Sequence, residues 1–85
     1  VKGDSMLPEI RNNSYILTKK YSSYMVNDIV AINAKDIGMV VKKIKHIEGD
    51  FFIVESINKQ YDSIVSKMMF EDNDIIGKVI FKLFN

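Results

Sequence analysis

Apolar residues in this chain fall in short alternating or continuous runs, and almost nowhere at the spacing of an amphipathic helix. Ser14 to Lys19 is rich in aromatic and β-branched residues and predicts a strand. Asp28 to Asn33 predicts a short, mostly apolar strand. After a turn over Ala34 to Ile37, Gly38 opens a longer strand through Ile47. Glu48-Gly49-Asp50 predicts a hairpin turn, and Phe51 to Glu55 its returning strand. Ile75 to Leu83 predicts a final strand of alternating character. The polar stretches Lys20 to Asn27 and Ser56 to Ser63 separate these runs, and Arg11-Asn12-Asn13 and Asn73-Asp74 are turns. Ile64 to Phe70 fits either a strand or irregular structure. Gly3-Asp4-Ser5-Met6-Leu7-Pro8 is a turn-prone opening with room for one helical turn from Ser5. Short strands with turn signals about every eight to twelve residues predict an all-β (mostly β) fold, a sheet or small barrel, as a single domain over residues 1–85.

Composition narrows the chemistry. The 85 residues suffice for one small domain, and 47% hydrophobic content excludes a disordered chain. A core of this size is thin, so stability is expected to lean on a partner subunit or a flanking segment. The absence of cysteine excludes disulfides and thiol catalysis, and a single His leaves zinc without a ligand set, so no metal or cofactor is expected. It also fits a reducing cytoplasm. With 12 basic and 11 acidic residues, the net charge of +1 leaves no electrostatic footprint for nucleic acid. No apolar run approaches the roughly 18 residues of a membrane span, and no signal-peptide pattern opens the chain, so no membrane partner is expected. A chain beginning at Val1, with a motif already at Gly3, reads as a piece of something longer.

Two residues could carry chemistry. By strand alternation, Val40, Lys42, Ile44 and His46 share one face, and Met39, Val41, Lys43 and Lys45 the other. If the face of Val40 and Ile44 is buried, Lys42 is desolvated, which favours the neutral amine and makes it a base. The plain alternative is a lysine that snorkels from an apolar face to water. Ser5 sits on a tight turn that can expose its hydroxyl and aim backbone N–H groups at an oxyanion. The plain alternative is a helix-capping serine.

Taken together, the motifs resemble a known family. Gly3-Asp4-Ser5-Met6-x-Pro8 is similar to the nucleophile motif of LexA/CI-type peptidases (family S24) and signal peptidases (family S26). Val40-Val41-Lys42-Lys43-Ile44 resembles the box that supplies the lysine of their Ser–Lys dyad. Asn27-Asp28-Ile29-Val30 resembles the Gly-Asp-Ile-Val strand before that box. Ser56 to Ile64 resembles the segment Asn-x-x-Tyr-x-x-Ile, and Asp74 to Ile80 the closing Val-x-Gly-Lys/Arg-Val-Ile strand. The pieces occur in family order along nearly the whole chain. The chain departs from the pattern in three places: Asn13-Ser14 for Gly-Asp, Asn27 for Gly, and Lys43 for Arg.

The resemblance implies a LexA/signal-peptidase-like β fold, Ser5 as nucleophile, Lys42 as general base, and an oxyanion site of backbone N–H groups at Asp4 and Ser5. It implies a self-cleaving repressor whose substrate is its own upstream loop, cut at an Ala-Gly or Cys-Gly bond absent from this chain. It also implies a homodimer, an inducing filament of the RecA type as co-protease, and DNA contact only through a domain upstream of Val1. A mutagenic-polymerase subunit is a related possibility. Two other readings are a signal-peptidase fragment, which Glu48-Gly49-Asp50 echoes, and a catalytically silent dimerisation module of the same fold. His46 is read as surface or structural, Asp4 as a turn former, and Met68-Met69-Phe70 as core or interface.

Overall fold

A computed structural model describes residues 6, 10, 14–58 and 68–83. The described residues form one antiparallel sheet of six strands with spatial order β1-β6-β2-β3-β4-β5. The strands are β1 Tyr15–Lys19, β2 Ile29–Ala34, β3 Gly38–Glu48, β4 Phe51–Glu55, β5 Met69–Glu71 and β6 Ile75–Leu83. The all-β expectation holds, and five of the strands lie within a residue or two of their predicted limits. Of the ambiguous run Ile64 to Phe70 only residues 68–70 are described, and Met69 and Phe70 belong to β5. Asn73-Asp74 belongs to a short 3-10 helix, Asp72–Asp74, closed by the Glu71 N–H donating to Asp74 Oδ2 at 2.8 Å. The turn at 11–13 and the polar stretch beyond Asn58 lie outside the described residues.

Local chemistry explains the connections. The β3–β4 hairpin pairs Glu48 with Phe51 across Gly49-Asp50, and Gly49 takes φ 59°, where a side chain would be strained. Before β2, Asn27 takes φ 77°. Asn tolerates this left-handed region better than most residues, so it can stand where the family pattern has Gly. The Asn27 N–H donates to Ile44 O, and the Ile44 N–H to Asp28 O, both at 2.8 Å. Asp28 Oδ2 accepts the Met25 N–H at 2.9 Å, and its other oxygen lies 3.2 Å from Lys78 Nζ. This corner fixes where β2 begins relative to β3.

The sheet is covered on both faces. One cluster joins Tyr24, Val30, Ile32, Ala34, Ile44, Phe52, Val54, Phe70 and Ile75. A second joins Met6, Ile10, Ala31 and Val41, with Ile16, Ile29, Ile57 and Val79 against it. Burial on both sides of β2 accounts for its nearly continuous apolar sequence.

Three one-residue bulges bend the sheet. The register shifts between Ile44 and His46, leaving Lys45 extra, and along β6 it leaves Ile76 extra against β2 and Ile80 extra against β1. The first bulge corrects the alternation expected of β3. Ile47 packs with the Ile44 cluster, whereas strict alternation put these two on opposite faces. His46 does not share the buried face of Lys42: its side chain is exposed, 3.8 Å from Glu48.

Candidate active site

Lys42 is on the central strand β3, paired with Val30 of β2. It is 6% exposed. Its face is that of Ile44, which is in the first cluster, and Val40, which packs against it. The snorkelling alternative does not hold, because the amine ends inside: Lys42 Nζ donates to Ser56 Oγ at 2.8 Å, and Ser56 is fully buried. The neighbouring Lys43 belongs to a different environment. Its amine lies 3.8 Å from Glu55 at a partly exposed position.

Ser56 was not singled out by the sequence, and the register explains both its place and why it was missed. The hairpin at Gly49-Asp50 alone would set Ile57 opposite Lys42, since Glu48 pairs with Phe51 and Ile47 with Phe52. The Lys45 bulge moves the register by one, so that Lys43 pairs with Glu55 and Ser56 comes next, opposite Lys42. Directly opposed residues share a face with Cβ atoms about 5 Å apart, within reach of a lysine amine.

Ser5 and Asp4, the expected nucleophile and oxyanion positions, lie outside the described residues. Their neighbour Met6 is 1% exposed, and Ile10 N–H donates to Met6 O at 2.8 Å. Met6 shares the second cluster with Val41, and Ile57 packs against that cluster. Met6, Val41 and Ile57 thus gather in one apolar group on the face of β3 opposite the Lys42 side chain. An open cavity of about 510 Å³, bounded by Tyr24, Ile47, Phe52 and Glu71 among others, includes neither Lys42 nor Ser56 in its described lining.

A buried amine with a fixed polar partner can serve as a base, because burial disfavours its protonated form. Among the described residues no helix is long and apolar enough to cross a membrane. No curated protein and no solved structure matches the chain. The Peptidase S24-like family model does match it, over residues 1–80, in agreement with the motif order and the all-β sheet: the chain belongs to the S24 peptidase-like family.

Proposed function

We propose that this chain is the self-cleaving serine-peptidase domain of a LexA/CI-like transcriptional repressor, with Ser5 as nucleophile and Lys42 as general base. The observation that carries the reading is the interior position of the Lys42 amine, held by Ser56 rather than released to solvent. Family membership supports pairing that amine with Ser5.

The chemistry follows from the residue types. Neutral Lys42 takes the Ser5 hydroxyl proton as Oγ attacks the scissile carbonyl. Backbone N–H groups at Asp4 and Ser5 stabilise the oxyanion. Collapse of the tetrahedral intermediate breaks the peptide bond, and the leaving amine takes the proton from the Lys42 ammonium. Water then hydrolyses the ester and frees Ser5. No carboxylate is needed to orient the base, since an amine has no tautomers.

The substrate is the protein's own upstream loop, cut at an Ala-Gly or Cys-Gly bond with a RecA-type filament as co-protease, and cleavage relieves repression. The domain also dimerises. Tyr15 pairs with Leu83 and Leu17 with Phe81, and all four side chains are more than half exposed, an apolar stripe that a second copy would cover. Glu48-Gly49-Asp50, the feature shared with signal peptidases, serves here as a tight hairpin turn.

The test is the full-length gene product incubated near pH 10, where a lysine amine needs no activating partner to lose its proton. Cleavage upstream of Val1 is expected, and it is expected to disappear in Ser5→Ala and Lys42→Ala. Cleavage at an unchanged rate in both variants would end the proposal.

A further inference from the structure

We infer that Ser56 is a positioning residue for the Lys42 amine, one that fixes where the nitrogen lone pair points; this rests on the Ser5–Lys42 reading above. Lysine carries its amine on a flexible stem of rotatable bonds, so burial alone does not aim it. A neutral amine has two N–H bonds and one lone pair. When one N–H is given to Ser56 Oγ at 2.8 Å, the lone pair is left for the proton of the nucleophile.

The hydroxyl is itself firmly placed. Ser56 is fully buried, follows β4 directly, and stands opposite Lys42 because of the Lys45 bulge. Glu55 before it faces Lys43 at 3.8 Å, and Ile57 after it packs against the second cluster. The strand end is thus held on both sides of the hydroxyl. The bulge acquires a role from this, since without it an isoleucine would oppose the amine and offer no acceptor.

The hydrogen bond has two consequences of opposite sign. As an acceptor, Ser56 Oγ aims the amine, which raises the rate once the amine is neutral. The same acceptor favours the ammonium form over the amine, which delays deprotonation as pH rises. Removing the hydroxyl therefore lowers the plateau rate and moves the midpoint of the rate profile to lower pH. A residue that only fills space would not move the midpoint in this way.

The experiment measures covalent capture of Ser5 by a fluorophosphonate between about pH 6 and 10, the range in which a buried lysine titrates. In that reaction the Ser5 Oγ–P bond forms, fluoride leaves and Lys42 takes the hydroxyl proton. Ser56→Ala is expected to lower the alkaline plateau about tenfold and shift the midpoint down, with Ser56→Thr restoring both. A wild-type plateau and midpoint in Ser56→Ala would overturn the inference. So would a lower plateau with an unmoved midpoint, or a defect that Thr does not repair. Should Ser56→Ala fail to fold, Ser56→Thr and Ser56→Val, nearly isosteric and differing in the hydroxyl, carry the same comparison. Lys42→Ala separates the two levels. Unchanged capture there removes the dyad itself, whereas lost capture there with normal Ser56→Ala kinetics removes only the positioning role.

Discussion

A lysine with 6% of its surface left to water must recover its lost hydration from groups fixed by the fold, and Ser56 supplies one of them. Such a placement is unfavourable for a cation and useful for a base. Alternation before the bulge was sufficient to place Lys42 beside Val40 and Ile44, so its burial was legible once that face was known to be the inner one. Asn27 shows a different residue-scale solution. Its φ of 77° and its exposed side chain mean that backbone conformation, and not packing, governs what the position accepts. Asn27→Gly is expected to leave stability within a few tenths of a kcal/mol. Asn27→Val is expected to lower it by about 1–2 kcal/mol, since a β-branched residue resists the left-handed region. Urea midpoints of the two variants check this, and equal midpoints would contradict it.

At the scale of elements, the three bulges separate what could be read in advance from what could not. Strand existence followed from runs of β-branched and aromatic residues, and β4 and β6 match their predicted limits. Register did not follow, because nothing about Lys45, Ile76 or Ile80 marks them as extra residues. His46 therefore landed off the expected face, and Ser56 came opposite Lys42 where Ile57 was due. Ser5 was legible only as part of a motif, since one turn-borne serine resembles any other. On β6, Gly77 marks a close approach between strands: a Cβ there would lie 3.1 Å from the Lys19 backbone carbon and oxygen and from Thr18 Cβ. Two of those atoms belong to the backbone of β1 and cannot swing aside. Gly77→Ala is expected to lower stability by about 1–3 kcal/mol. Faster hydrogen exchange confined at first to the β1 amides would mark the strand that gives way; wild-type thermal stability would show the approach to be slack.

At the scale of the whole molecule, the two clusters divide the work. The Ile32–Ile44–Phe52 cluster covers one face of the sheet, and the Met6–Val41 cluster ties the end bearing the Ser5 motif to the strand bearing Lys42. The Tyr15, Leu17, Phe81 and Leu83 stripe is left outside both. Phe81→Glu is expected to convert a dimer to a monomer in sedimentation with the fold intact, and a wild-type chain that sediments as a monomer would contradict that assignment.

The most direct measurement of the central claim is mass-spectrometric mapping of the chain after fluorophosphonate treatment at alkaline pH. One adduct is expected, on Ser5, and it vanishes when Lys42 is replaced by Ala. Adducts scattered over exposed serines such as Ser22 and Ser23, or a Ser5 adduct indifferent to Lys42, would contradict it.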